Sequence, residues 1–339
     1  MEAYILDGPR QLREAARAAE GLPASLFKGP DGSGRPFASA MLLGMGGSAL
    51  SAGLLELLRF AERSDWRFDV VRDYRLPRKP DRSTLLLALS YSGETEETLA
   101  AFEEAMAAGS PAVAASRGGR LEEAARRHSV PFVRVPERPA DFQPRFALSF
   151  MFALAWRILV RAGLLATSTS LDELSDRLAA LDLRPQGEEL AAWIGERIPV
   201  VYVPTEFEAG VARTWRIKFN ENAKIPCIAG ALPEANHNEM IAFPGTEPPG
   251  RFAFLLFDDP DGDERVSVRF RLTGELLSSY GYPVRQLRLD PGVPPVQKAL
   301  SSLLLADWVT LAHARLHGVD PVSIPAIQEF KQLLRNEPR

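Results

Sequence analysis

Short β-rich segments alternate with helical segments of Ala, Leu, Glu and Arg along the sequence, and this alternation constrains the fold more than any other feature. Strands separated by helices pair in parallel, with the connecting helices packed on the sheet. We predict strands near 40–44, 68–72, 84–90, 112–115 and 132–135, and in the second half near 200–203, 225–228, 253–257 and 284–289. We predict helices near 49–63, 96–108, 120–128, 148–165 and 296–317, and a last helix that carries Lys331. The fold class is therefore α/β.

The chain has 339 residues, which is enough for two domains that each bury a core of their own. A polar helical stretch over 166–186, ended by Pro185, is placed to connect the two sheets. We predict a first domain over 1–165 and a second domain, with the C-terminal helices, over 166–339. We expect each to be a doubly wound domain with a central parallel sheet flanked by helices.

Composition limits the class of protein. A hydrophobic fraction of 46% and a charged fraction of 25% are typical of a globular protein, and a formal net charge of −4 gives no basic footprint for nucleic acid. The apolar stretch over 148–165 is interrupted by two arginines, so we interpret it as a buried helix, because a membrane span needs roughly 20 apolar residues. The first residues, MEAYILDGPRQ, do not have the pattern of a secretory signal. We expect a cytoplasmic protein that binds neither nucleic acid nor membrane.

Metal-binding residues are sparse. The lone Cys227 excludes an internal disulfide framework and a cysteine-based zinc site. His313 and His317 have the i, i+4 spacing of metal ligands on a helix, but no third ligand lies at a telling distance. We therefore predict no metal site.

A glycine-rich turn, Gly44-Met45-Gly46-Gly47-Ser48, follows the first predicted strand and opens a helix. Glycines let the backbone approach a ligand closely, and a helix N-terminus offers free N–H groups to an anion. The spacing of Gly44, Gly46 and Ala49 also satisfies a dinucleotide-binding fingerprint. Taken alone, this turn is equally compatible with plain helix packing.

A second turn, Ser90-Tyr91-Ser92-Gly93-Glu94-Thr95, follows another buried strand and opens the helix near 96–108. Ligands of open α/β sheets bind beyond the carboxyl ends of the strands. Ser90, Ser92 and Thr95 can each donate a hydrogen bond to a phosphate oxygen. A plain helix N-cap needs one hydroxyl, whereas this turn has three, and a dinucleotide fold does not require it. The two turns together predict a phosphomonoester ligand.

These residues resemble a known family. The Ser-x-Ser-Gly-x-Thr turn and the preceding Gly-Gly-Ser are similar to the sugar isomerase (SIS) domain. Four segments of the second half, together with these turns, resemble the bifunctional phosphoglucose/phosphomannose isomerases of archaea and bacteria. These segments are Asn220-Glu221-Asn222-Ala223-Lys224, Leu232-Pro233-Glu234-Ala235-Asn236-His237-Asn238-Glu239, Asp307-Trp308-Val309 and Gly318-Val319-Asp320-Pro321. The resemblance extends from about Gly44 to Lys331.

The resemblance implies two SIS domains and an aldose–ketose isomerase that interconverts glucose 6-phosphate, and often mannose 6-phosphate, with fructose 6-phosphate. It implies no metal and no organic cofactor, a small sugar phosphate as ligand, and a homodimer with active sites near the interface.

The resemblance also assigns residues. Its phosphate and sugar contacts fall on Gly47, Ser48, Ser90, Ser92 and Thr95. Its arginine beside the reacting carbons falls on Arg145, its catalytic base on Glu221, and its ring-opening residues on His237 and Lys331. The chain departs from the family at Glu94, where many members have Asn, and at Thr214-Trp215-Arg216, where many have Arg-Trp-Lys.

Metal-free aldose–ketose isomerisation needs a base between C1 and C2, positive charge near the developing enediolate, and a group that opens the sugar ring. By residue type alone, Glu221 and His237 are more typical of ordinary surface side chains than of catalysts. Arg145 could be one more surface arginine, and Lys331 fits a solvated lysine and a site residue equally well. Two other functions also fit parts of the sequence. A non-catalytic sugar-phosphate sensor would have no need of Glu221, Arg145 or His237, and a dinucleotide-dependent oxidoreductase would have no use for the second turn.

Overall fold

The first half of the chain forms a parallel sheet whose strand ends bring together the two turns that the sequence predicts to bind a ligand. In the computed structural model, residues 1–28, 37–166, 169–243 and 249–337 are described. The strands are β1 (Ser39–Leu43), β2 (Arg67–Val71), β3 (Thr84–Leu89), β4 (Ala112–Ser116) and β5 (Phe132–Arg134). They pair in the order β2-β1-β3-β4-β5, all parallel. Because Leu43 of β1 lies opposite Ala88 of β3, the turns that follow β1 and β3 are neighbours.

Helices surround this sheet at the places that the sequence predicts, with one addition at the start of the chain. They are α1 (Glu2–Glu20), α2 (Gly46–Ala61), α3 (Glu96–Ala107), α4 (Gly119–Arg127) and α5 (Leu148–Arg161). The addition is α1, which contains Pro9 and buries a narrow stripe that includes Ile5 and Leu12. α5 is almost entirely buried, as predicted for the apolar stretch near 148–165.

The second half forms a smaller parallel sheet. Its strands are β6 (Ile198–Pro204), β7 (Ile228–Leu232), β8 (Phe252–Asp258) and β9 (Val284–Arg288), in the order β7-β6-β8-β9. Its helices are α6 (Leu171–Ala179), α7 (Arg184–Ile194), α8 (Arg213–Lys218), α9 (Ala235–Asn238), α10 (Glu264–Ser279), α11 (Pro295–Leu316) and α12 (Pro325–Asn336). The α/β fold class with two parallel sheets flanked by helices is thus confirmed.

Two local predictions were wrong. β7 starts at Ile228 and not near 225, because a π-helical turn over Phe219–Ala223 and the left-handed Lys224 (φ 61°) occupy the chain just before it. Pro185 begins α7 instead of ending a helix, since a proline's fixed φ fits the first helical turn and its missing N–H costs nothing there. Of the stretch predicted as helical over 166–186, residues 167–168 lie outside the described residues.

One hydrophobic core extends through both halves and includes residues of α2, of α5 and of strands in both sheets. At Gly53 of α2, a Cβ atom would lie 2.3 Å from the carbonyl oxygen of Ala209, so the helix touches the backbone of the π-helical segment Glu208–Ala212 directly. The two sheets lie on either side of residue 165, and the division into domains at that position stays a prediction. Among the described residues, no helix has the length and apolarity that crossing a membrane demands.

Candidate active site

Gly47 places the first turn against the segment that carries Arg145. A Cβ atom on Gly47 would lie 2.7 Å from the backbone nitrogen of Arg145 and from the carbonyl carbon of Pro144. Only a residue without a side chain lets the 3-10 turn Pro144–Ala147 approach the N-terminus of α2 so closely. The turn after β1 and the backbone of Arg145 are therefore in direct contact.

The hydroxyl of Ser48 connects the two turns. It is buried, and its oxygen accepts a hydrogen bond of 3.0 Å from the backbone N–H of Tyr91 in the second turn. The carboxyl ends of β1 and β3 are thereby fixed relative to each other.

The second turn collects its three hydroxyls in a small volume. The hydroxyls of Ser90 and Thr95 are 2.9 Å apart and share a hydrogen bond, and Ser90 also accepts from the N–H of Gly93 at 3.1 Å. The hydroxyl of Ser92 accepts from the N–H of Glu94 at 3.2 Å. Thr95 stands at the N-cap position of α3 but makes no capping hydrogen bond with its side chain. The first N–H groups of α3 thus receive no bond from this hydroxyl, which suits an anion-binding turn better than a simple cap.

Glu94 does not share this arrangement. Its side chain is exposed, and its carboxylate accepts a hydrogen bond of 3.1 Å from the backbone N–H of Arg120, in the first turn of α4. A negative charge is favourable at the N-terminus of a helix. The departure from the family pattern at this position therefore serves the neighbouring helix α4.

Arg145 is a buried arginine with only 3% of its surface exposed. Its Nε donates to Asn222 Oδ1 at 2.6 Å and its Nη1 to Glu221 Oε2 at 3.0 Å. Its Nη2 donates to the carbonyl oxygens of Pro321 at 2.8 Å and Val322 at 3.0 Å. Burial lowers the pKa of the guanidinium, and the negative charge of Glu221 opposes that shift. An arginine keeps its charge even when buried, so Arg145 is a fixed cation.

Glu221 lies in the π-helical turn Phe219–Ala223 that continues from α8. Its side chain is 24% exposed, and one of its oxygens is paired with Arg145. The other oxygen makes no hydrogen bond to a described residue. Lys224 closes this turn, since its ammonium group donates to the carbonyl oxygens of Glu221 and, at 2.8 Å, of Ser323. Glu221 is thus a half-buried carboxylate in a braced turn, with one oxygen left for a ligand.

His237 is exposed on the short helix α9 while its neighbours in the sequence are anchored. Asn236 donates to Thr273 at 2.9 Å, and Glu239 accepts from the hydroxyl of buried Tyr202 at 2.7 Å. The imidazole of His237 makes no hydrogen bond to any part of the chain that the structure describes. The structure does not join it to Glu221.

Lys331 is exposed on α12, a helix with no buried residue. Its ammonium group has no ion-pair partner in the described ranges. Its role and that of His237 stay predictions.

The groups that hold Arg145 in place, apart from Glu221, were not predicted from the sequence. Asn222 stands next to Glu221 in the Asn220-Glu221-Asn222 segment, so the sequence did indicate that Asn222 lies near the site. Pro321 and Val322 accept through backbone carbonyl oxygens, which every residue has, so their residue types give no sign of this contact. Thr310, which accepts from Asn222 at 3.0 Å, is a polar residue on the buried part of α11. A buried threonine among apolar neighbours could have been noticed.

His313 and His317 stack on each other with ring centroids 4.3 Å apart, and His313 Nε2 lies 2.9 Å from the carbonyl oxygen of Gly195. Within the ranges that the structure describes, no group of three or more His, Cys, Asp or Glu side chains is arranged to hold a metal ion. His313 thus contacts the end of α7, and the exposed His317 stacks on it.

The chain is similar in sequence and in fold to known proteins. Residues 184–334 match the family model described as the bacterial phospho-glucose isomerase C-terminal SIS domain. The bifunctional phosphoglucose/phosphomannose isomerase of Aquifex aeolicus is 33% identical, over 88% of this chain and 91% of that protein. The protein of the same name from Thermoplasma acidophilum is 31% identical, over 89% and 92%.

The crystal structure of tagatose-6-phosphate ketose/aldose isomerase from Escherichia coli superposes with a TM-score of 0.72, covering 95% of each chain. At 16% sequence identity, this similarity shows the fold alone. The sequence relatives carry the family assignment, and the resemblance inferred from the motifs is confirmed. The chain belongs to the family of bifunctional phosphoglucose/phosphomannose isomerases.

Proposed function

We propose that this protein interconverts glucose 6-phosphate and mannose 6-phosphate with fructose 6-phosphate. One observation carries the proposal beyond family membership. A half-buried glutamate, Glu221, is paired at 3.0 Å with a buried arginine, Arg145, whose backbone packs on Gly47 of the first turn. A base and a fixed cation thus lie beside a turn that suits a phosphate group.

In this proposal the phosphate is bound by the two turns after β1 and β3. Hydroxyl groups and the N-termini of α2 and α3 supply neutral donors and partial positive charge. The residues that hold it are Gly47, Ser48, Ser90, Ser92 and Thr95. No cofactor is invoked, because the proposed reaction consists of proton transfers and involves no net oxidation or reduction.

The proposed reaction is a proton transfer through a cis-enediol. Glu221 removes the proton from C2 of the open-chain aldose while O1 gains a proton, and the enediol forms. O2 then loses its proton and C1 receives one from Glu221, which gives the ketose. Arg145 stabilises the negative charge on the oxygens during both steps, since donors fixed where charge develops lower the barrier. His237 and Lys331 are the groups that we assign to ring opening.

We further propose that two copies form a homodimer through α12. Ile327, Phe330 and Leu334 are 40%, 59% and 43% exposed, and their spacing places them on one face of the helix. Lys331 lies on the same face, at i+4 from Ile327. A second copy that covers this face would also enclose Lys331, which is how an exposed lysine could enter an active site near the interface. The location in the cytoplasm stays a prediction.

The alternative is a sugar-phosphate sensor that binds and does not turn over. A coupled assay of the purified protein distinguishes the two, with glucose 6-phosphate and mannose 6-phosphate as separate substrates, excess chelator present and fructose 6-phosphate as the measured product. We expect product from both substrates. Binding without product would support the sensor, and activity that disappears with chelator and returns with a divalent ion would refute the metal-free mechanism.

The matched variant for this assay is Glu221→Gln, which keeps the shape of the side chain but removes the base. Turnover should fall about 10²–10⁴-fold, the usual effect of removing a positioned general base. Affinity measured by calorimetry should change little, because the phosphate is bound elsewhere. Near-normal turnover would remove Glu221 from the mechanism, whereas equal losses of turnover and affinity would make it a binding or folding residue.

A further inference from the structure

Two buried side chains, Asn222 and Thr310, form a hydrogen-bonded path that ends at Arg145. Asn222 is fully buried, and its Oδ1 accepts the Nε–H of Arg145 at 2.6 Å. The Nδ2 of the same amide donates at 3.0 Å to the hydroxyl oxygen of Thr310 in α11, which is also fully buried. A continuous hydrogen-bonded path therefore leads from α11 through one amide to the guanidinium.

The direction of every bond in this path is fixed by chemistry. The hydroxyl of Thr310 donates its single hydrogen to the backbone of its own helix, where the carbonyl oxygens of Ala306 and Asp307 lie at 2.8 and 3.3 Å. Its oxygen can then only accept, so the NH₂ group of Asn222 must face it. The amide oxygen is left facing Arg145. Thr310 thus determines which end of Asn222 meets the guanidinium.

The orientation of the guanidinium depends on this contact. A guanidinium has five N–H groups in one plane, and four hydrogen bonds of Arg145 are directed to Asn222, Glu221, Pro321 and Val322. The one that remains is on Nη1, the nitrogen that also donates to Glu221. With Nε held by Asn222 and Nη2 by the two carbonyl oxygens, Nη1 is the nitrogen that meets Glu221.

Asn222 also matters for charge. It is a neutral acceptor, so Glu221 is the only carboxylate that hydrogen-bonds to Arg145 among the described residues. A second carboxylate at position 222 would share the cation with Glu221 and reduce the positive charge available to a substrate oxygen. An amide satisfies Nε without that effect.

From this geometry we infer that Asn222 and Thr310 are positioning residues of the isomerase reaction, which orient Arg145 toward the reacting atoms without touching them. The inference rests on the proposed function, in which Arg145 stabilises the enediolate. It assigns a role in the chemistry to α11, a helix that otherwise forms the core.

The test replaces the hydroxyl of Thr310 by a methyl group of similar size. Thr310→Val leaves the Nδ2 of Asn222 without its acceptor, so the amide can rotate and release Arg145. We expect kcat to fall about 10-fold while KM changes less than about twofold, because transition-state stabilisation is lost and phosphate binding is not. Thr310→Ser keeps the hydroxyl and should restore most of the lost turnover.

Ser301→Ala is the matched control for loss of a buried hydroxyl on the same helix, since Ser301 Oγ has no hydrogen-bond partner in the described residues. It should leave kcat and KM unchanged. All assays are run well below the unfolding temperature of each variant, which separates turnover from stability. A purely structural role of Thr310 would lower that temperature and leave kcat of the folded enzyme intact, and this result would overturn the inference.

A double-mutant cycle tests the path itself. If Thr310 acts through Arg145, then Thr310→Val in an Arg145→Lys background should cost little more than Arg145→Lys alone, because lysine has no planar group to orient. Independent, multiplicative losses would show that Thr310 does not act through Arg145.

Asn222→Asp is a second variant that keeps the size of the side chain. It should lower kcat and move the acidic limb of the pH–rate profile to higher pH, since an added negative charge opposes loss of a proton from the base. An unchanged profile would contradict the role of Asn222. Absence of turnover in the wild-type protein would instead refute the proposed function.

Discussion

At the scale of single residues, Gly47 shows how much of a site can depend on an absent side chain. Its missing Cβ is what allows the backbone of Pro144 and Arg145 to lie against the start of α2. Gly46, one position earlier, is different, because it has a positive φ of 50° and a Cβ there would meet nothing within 4 Å. The two adjacent glycines are therefore required for different reasons, one for space and one for conformation.

We predict that Gly47→Ala lowers the free energy of unfolding by about 1–3 kcal/mol and also lowers turnover, because the added methyl group displaces the backbone at Arg145. Gly46→Ala should cost about 1–2 kcal/mol, the strain of a left-handed residue, and should not displace Arg145. Urea unfolding and the coupled assay measure both effects. If both variants lose stability equally and keep full turnover, the contact between Gly47 and Arg145 is not important for activity.

The sequence motifs predicted the residues that stand in the two turns and the Glu221 segment, but not how they are held. Arg145 and Glu221 are 76 positions apart, and Asn222 and Thr310 are 88 apart. A pattern of residue types carries no information on which distant side chain accepts a given N–H group. His237 is the reverse case, because its motif predicted a functional side chain. In the structure the Asn and Glu of the motif make hydrogen bonds, whereas the imidazole is exposed and has no hydrogen-bond partner among the described residues.

At the scale of elements, the predicted periodicity located most strands and helices because each has a buried apolar face of its own. It failed where backbone conformation decides the structure. Because of the π-helical turn at Glu221 and the left-handed Lys224, β7 begins only at Ile228. The apolar residues near 225–228 have the composition of a strand, which is why the sequence predicted one there. α1 was missed because its buried stripe is narrow and interrupted by Pro9.

The contact between α7 and α11 should respond to pH through His313. Burial lowers the pKa of His313 from its usual value of 6.5, the hydrogen bond to the carbonyl of Gly195 opposes this, and nearby His317 lowers it further. Because the folded pKa is the lower one, the unfolded state takes up its proton first as pH falls below about 6.5. The contribution of neutral His313 to stability is complete above that pH and is lost as pH decreases toward the folded pKa.

His313→Gln keeps a donor for the carbonyl of Gly195 but cannot titrate. We therefore expect the wild-type protein to lose more of its free energy of unfolding than this variant between pH 7.5 and pH 5.5, as measured by urea unfolding. Equal losses in the two proteins would mean that other groups cause the acid sensitivity.

At the scale of the whole molecule, the sequence predicted two sheets, and the structure adds that one hydrophobic core joins them. The candidate site lies where the halves meet, with the two turns and Arg145 from the first half and Glu221 and Asn222 from the second. No local pattern could show this, because the approach of α2 to the second half depends on close contacts such as Gly53 against Ala209. α12 has no buried residue, and its apolar face is exposed, as is the stripe of Val268, Leu272 and Leu276 on α10.

We predict that the apolar face of α12 forms an interface between two copies of the chain. Ile327 and Leu334 flank Lys331 on α12, and burying them against a second copy would stabilise a dimer through the hydrophobic effect. Light scattering should give twice the mass of one chain for the wild-type protein. Ile327→Glu combined with Leu334→Glu should shift the mass toward one chain and lower turnover, because charges are costly to bury in an interface.

Leu272→Glu is the control, at a leucine of α10 that is 49% exposed, and should leave the dimer intact. A monomeric wild-type protein with full activity at nanomolar concentration would contradict the dimer. Dissociation by Leu272→Glu alone would place the interface on α10 instead.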